Sequence, residues 1–327
     1  VAVDREFEQS LVDALRYRSD DPSSDRAVRE SIRIGLVGND AELINIYERE
    51  VGPEQAEVDL HLDGPGVENN AANARQFSLF VSGLSEAVKE TAKARAGRKS
   101  YSENLLIEGA TPGSVRVVLR VANPIIPKGQ TVDETTVAST VDSDALRTVA
   151  SILALASDPD LDTPLAAEIA ELPPQARTAL KRVVNASQHG GWGVRGTIRQ
   201  RQVGAADLEL TPDGATRLRI ELESAHEKRR TEAQIGTIDG FRWSLGTLYF
   251  QNDTGSRFTA GVTETRVAQA VTRLMNDPNQ RVSARFDVVE SYLPGDKAQS
   301  RVSRVLIDVR PLGDQTTISI EEHPTIR

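Results

Sequence analysis

From Ala56 to Asp63 the chain reads AEVDLHLD, and apolar and polar residues alternate without exception. A period of two is that of a half-buried strand, with Ala56, Val58, Leu60 and Leu62 on a dry side and Glu57, Asp59 and His61 on a wet one. Between about residues 67 and 96 the period lengthens to that of a helix: Phe77, Phe80, Val81, Leu84, Val88 and Ala92 form a stripe, and Gly97 follows as a stop. A half-wet strand followed by a long amphipathic helix requires a sheet for the helix to cover. ENLLIEG and SVRVVLRVA, joined by ATPGS, supply two further strands, so a β-α-β-β unit is expected within residues 1–125. Ahead of it, REFEQSLVDALRYRS places Phe7, Leu11, Ala14 and Leu15 on one helical face, and the stretch that follows fits helix or strand equally.

NPIIPKGQTVDE reads as a linker into a helical hairpin or spacer at 126–190. Leu146, Val149, Ile152, Leu153 and Ala156 line its first helix; the second is expected to run past LPP to His189 with Ala176, Leu180, Val183 and Val184 inward. DPDLDTPLAAEI has the opening acids of a calcium loop but Thr163 where glycine is needed and Ile169 where glutamate is needed, so an interhelical turn is expected. Residues 191–327 are read as a mostly β domain: GVRGTIRQ and ADLEL as strands, TPDGAT as a turn, RLRIELE as a strand. After these come three strands, the helix ETRVAQAVTRLM and two strands. In that order of elements, residues 231–310 resemble an oligonucleotide/oligosaccharide-binding (OB) barrel. The fold class expected is α+β.

With no cysteine the chain has no disulfide, thiolate nucleophile or cysteine-held metal, which suits a reducing cytosol. The opening VAVDREFEQS is acidic and polar, unlike a secretory signal, and no apolar run is long enough to span a bilayer, so a cytoplasmic protein without membrane contact is expected. A net charge of −9 opposes nonspecific attraction to polyanions. Aromatic residues make up only 4%, so aliphatic cores are expected. There is no G-x-S-x-G elbow, H-E-x-x-H or Walker loop, and catalysis is not expected. Neither is a cofactor or a metal: same-side residues on a strand stand about 7 Å apart, and Arg116 and Arg120 are at hand to pair with the acids of the alternating strand.

One segment runs against the acidic average. HGGWGVRGTIRQR, His189 to Arg201, spells G-x-G-x-x-G, but a helix ends there and a strand begins, the reverse of a dinucleotide fingerprint. Gly190 or Gly191 is expected to supply a left-handed helix cap. Between Leu172 and Ala206 stand Arg177, Lys181, Arg182, Arg195, Arg199 and Arg201 with no acid. Two readings follow. The favoured one is a non-catalytic interaction or scaffold protein that binds another protein through its sheet edges and this basic junction. The alternative is binding of single-stranded nucleic acid, with Trp192 stacking beside Arg195, Arg199, Arg201, Lys181 and Arg182, and Tyr249 and Arg257 contributing from the barrel. Phe241 and Trp243 share a parity and are expected to plug that barrel.

Overall fold

The computed structural model describes residues 5–17, 22–102, 104–108, 115–124, 139–158, 164–243, 246–275, 277, 280–293 and 296–312. The chain opens with helices α1 (Arg5–Arg16) and α2 (Pro22–Ile32), a one-turn π-helix (Arg33–Val37) and α3 (Ala41–Val51). The stretch whose sequence left helix and strand open is therefore helical. Leu11, Val12 and Leu15 of α1 pack on Ile46 of α3, whereas Phe7 and Ala14 are exposed.

The alternating segment is β1 (Glu57–Asp63), and its dry side is buried as the pattern requires. Next come α4 (Ala74–Arg95), β2 (Leu105–Glu108) and β3 (Arg116–Val121). The helix holds the whole stripe but starts at Ala74 rather than near residue 67, at an Asn73 cap whose side chain accepts from the Arg75 and Gln76 N–H groups. Most of the expected linker, the ATPGS reversal and the tail from residue 313 lie outside the described residues.

The hairpin region forms α5 (Val141–Ser157), α6 (Leu165–Glu171) and α7 (Pro174–Gly190). The single second helix expected there is divided at Leu172-Pro173, because neither proline can donate to the preceding turn. Two strands follow, β4 (Gly193–Gln200) and β5 (Gly204–Leu210), and then α8 (Pro212–Glu223), where a turn and a strand were expected. Thr211 caps α8 by accepting from the Gly214 N–H, Pro212 starts it, and Ala215, Leu218 and Leu222 fall on its buried face.

All five strands so far make one antiparallel sheet in the order β2-β3-β1-β4-β5. Hydrogen bonds between β1 and β4 cross both of the boundaries expected near 125 and 190. One core joins the dry faces of β1, β3, β4 and β5 with apolar residues of α4, α5, α7 and α8.

The remaining elements are β6 (Ala225–Arg242), β7 (Thr247–Asn252), β8 (Arg257–Gly261), α9 (Thr265–Leu274), β9 (Arg281–Leu293) and β10 (Asp296–Pro311). They close a barrel in the order β10-β8-β7-β6-β9, with β8 and β10 parallel and the other pairs antiparallel. The scarce aromatics concentrate here: Phe250, Phe258 and Phe286 lie with ring centroids 5.3 Å apart, and Val267 and Val271 of α9 pack on the same core. The barrel meets the sheet layer through α6. Leu165 and Ile169 belong to the sheet's core, while Ala167 and Ala170 pack against Val289 and Val305 of the barrel.

Candidate functional site

The glycine-tryptophan segment is a crossing point of two backbones. Gly191 adopts φ 69°, ψ 33° and ends α7 as a left-handed cap. The Gly66 N–H donates to the Gly191 carbonyl at 2.9 Å, and a Cβ on Gly66 would lie 1.7 Å from the Gly190 oxygen. Trp192 is 2% exposed, with its ring inside the main core and its Nε1 without a hydrogen-bond partner among the described residues. The ring is thus closed to an incoming base, which corrects its expected stacking role.

Beyond Trp192, Arg195 and Arg199 project from the wet face of the sheet and are met by acids from both sides. Arg195 contacts Glu209 at 3.3 Å and Asp63 at 3.6 Å; Arg199 Nε donates to Glu57 at 2.9 Å, with Glu48 at 3.7 Å; Arg201 lies 3.8 Å from Glu54. The expected pairing with β3 is seen at Arg116, which grips Asp59 with two bonds of 2.7 and 2.6 Å and holds that carboxyl below the usual range. Arg120 turns instead to Glu108 at 2.8 Å. Among the described residues no group of three or more histidine, aspartate or glutamate side chains could hold a metal ion.

The remaining predicted contact residues lie elsewhere. Lys181 and Arg182 belong to α7, on the helix-covered side of the sheet opposite Arg195 and Arg199, and Tyr249 and Arg257 sit on neighbouring strands of the barrel wall. The eight residues do not converge on one place.

The structure instead forms a cavity of about 410 Å³ where the barrel meets the sheet layer. Its floor is a polar stripe of α5, namely Asp144, Arg147, Thr148 and Ser151, at i, i+3, i+4 and i+7 on a helix that is otherwise mostly apolar beyond its first turn. Gln200 at the end of β4 and Glu168 of α6 close two sides, and Phe241, Trp243 and Val262 of the barrel form the apolar wall. Phe241 packs on the barrel core as expected. Trp243 does not: it is 37% exposed, and its ring stands edge-on to Phe241 at 5.1 Å along the cavity. Gln200 is buried and fixed, donating to the Glu54 carbonyl and Ser139 Oγ and accepting from Arg147 Nη1 at 3.4 Å. Burial pushes the Glu168 carboxyl up to about 8, against a Ser151 hydrogen bond and the charge of Arg95, so at neutral pH it is chiefly protonated. Burial also lowers the pKa of Arg147.

Sequence reasoning missed this site because six elements, α5, α6, β4, β5, β6 and α9, contribute to it. The one readable sign was the polar stripe interrupting α5. Compared with known proteins, the chain matches no family model, no curated protein and no solved structure.

Proposed function

We propose that the protein is a non-catalytic cytosolic interaction protein that engages a partner protein by adding a strand to the outer edge of β2. The two ends of the sheet differ. At β5, helix α3 covers the edge and Asn45 Nδ2 donates to the Ala205 carbonyl. At β2, no strand pairs with the outer edge among the described residues, and Leu106 and Ile107 are 43% and 61% exposed. An apolar open edge is a template for strand addition, and proteins that do not use one usually blunt it with charge or proline. The Ala122 N–H donates to Asn104, so residues 104, 106 and 108 bond to β3 while 105 and 107 turn their backbone groups outward. The open edge at Ile107 is the observation that carries this reading.

The barrel's strand order, with its parallel β8/β10 pair and a helix between β8 and β9, supports reading it as OB-like. Nucleic-acid binding has less support: Trp192 is buried, and Arg195, Arg199 and Arg201 are paired with acids. No described helix is long and apolar enough to cross a membrane, and the absence of cysteine suits a reducing compartment.

The test places a photo-crosslinking residue at position 106 in native cells, with position 197 inside the sheet as control. A distinct polypeptide captured at 106 but not 197, and lost with Ile107→Pro, supports the reading, since proline removes the outward N–H and leaves the β3 bonds in place. Capture insensitive to Ile107→Pro overturns it. So does salt-sensitive binding of a labelled oligonucleotide that fails with Arg182→Glu and Arg257→Glu, which favours nucleic acid.

A further inference from the structure

We propose that the cavity between α5, α6 and the barrel binds a small organic acid that carries a planar apolar ring. Its carboxylate would pair with Arg147 and its ring would lie along Phe241 and Trp243. This site is separate from the β2 edge and does not depend on that reading.

Besides Asp144 and Glu168 the lining carries the acids Asp207 and Glu264, and the case for an anion rests on Arg147. Of the cations lining the cavity, Arg199 and Arg201 are each matched by glutamates on the sheet side. Arg147 has no carboxylate within ion-pair distance among the described residues; its bond is to the neutral amide of Gln200. Asp144, one turn back, contributes field but has an oxygen occupied by Ser139 Oγ at 2.8 Å. A guanidinium does not discharge by losing its proton, so a half-buried one facing an amide gains most from an anion that reaches it. Its planar fork suits a carboxylate with two parallel bonds.

The surroundings of Arg147 set the rest of the molecule. Glu168 stands against Ser151, one turn along α5 from Arg147, and as a protonated acid it offers a hydrogen-bond donor without repelling an anion. The wall facing α5 is aromatic and aliphatic, and a half-exposed indole beside an edge-on phenyl ring is a surface that a flat ring can cover. A volume of about 410 Å³ is within the usual span for small-molecule sites. Polar anchors along α5 and an apolar wall facing them match a ligand that carries one charged group and one flat ring.

The test uses the full chain with four probes: indole-3-acetate, benzoate and their neutral amides, titrated by calorimetry and by tryptophan fluorescence. At least one acid should bind and perturb Trp243 emission, and its amide should bind about tenfold or more weakly, as expected for loss of a charge-assisted pair. Arg147→Gln should abolish the preference for acid over amide, Arg147→Lys should keep part of it, and Trp243→Ala should weaken acid and amide alike. Circular dichroism should show each variant folded; a variant that fails to fold is replaced by competition of the acid against its amide in the native protein. Failure of all four probes to bind at millimolar concentration, equal affinity for acid and amide, or a preference that survives Arg147→Gln would each overturn the proposal.

Discussion

Glu168 holds a carboxyl where water cannot solvate it, and the consequence for stability has a definite sign. Its folded pKa, raised to about 8, stands above the ordinary glutamate value of 4.5. The native state therefore binds a proton that the unfolded chain releases, and the associated stability is complete below about pH 4.5 and lost as pH rises through about 8. Denaturant unfolding at pH 5, 7 and 9 should show stability falling across that window. Glu168→Gln should flatten the slope by about one proton and leave the variant more stable than the native chain at pH 9, by on the order of 3 kcal/mol. Identical slopes in the two proteins would show that the carboxyl ionises freely. The same residue illustrates the limits of reading a sequence. Nothing in PLAAEIAEL separates Glu168 from Glu171, one buried and one exposed, until the barrel is placed against α6.

Elements were legible where one period dominated and illegible where two periods fitted. The alternation of β1 and the stripe of α5 each admit one reading, and both are found. In RLRIELE, Leu218, Ile220 and Leu222 alternate as a strand would, yet Ala215, Leu218 and Leu222 also share a helical face; the Thr211 cap and Pro212 decide for α8. Pairing partners are a different problem, since no local pattern says that β4 should lie beside β1 across more than a hundred residues of intervening chain. The glycine-tryptophan segment follows the same logic. Its cap at Gly191 was readable, whereas the need for glycine at position 66 arises from a contact distant in sequence. Gly66→Ala should push the loop after β1 away from the end of α7 and destabilise the protein by about 1–3 kcal/mol, the usual cost of overpacking a close contact. Thermal or denaturant unfolding measures this, and a change within about 0.5 kcal/mol would mean that the two backbones separate without cost.

At the scale of the molecule, one short helix stands between two cores. The sheet layer has a mainly aliphatic core, with Phe80 and Trp192 in it, fed by α4, α5, α6, α7 and α8, and the barrel has a separate one built on three phenylalanines. Helix α6 joins them, with Leu165 and Ile169 committed to the first core and Ala167 and Ala170 set against Val289 and Val305 of the barrel strands in a small cluster separate from the barrel's own core. Small side chains on that face let the barrel approach closely, and the cavity lies beside the joint, so its shape depends on how firmly the joint holds. If α6 couples the cores, the native chain unfolds in one calorimetric transition. Ala167→Asp buries an unpaired charge at the joint, at a cost of several kcal/mol, without touching the interior of either core. It should split the trace into two transitions, and amide exchange should accelerate first in α6 and the strands facing it, β9 and β10. The same variant should weaken binding of an acid at Arg147, because Phe241 and Trp243 reach the cavity only from the docked barrel. One transition displaced to lower temperature, with exchange accelerated evenly over both cores, would instead make the two layers a single cooperative unit whose coupling does not depend on α6.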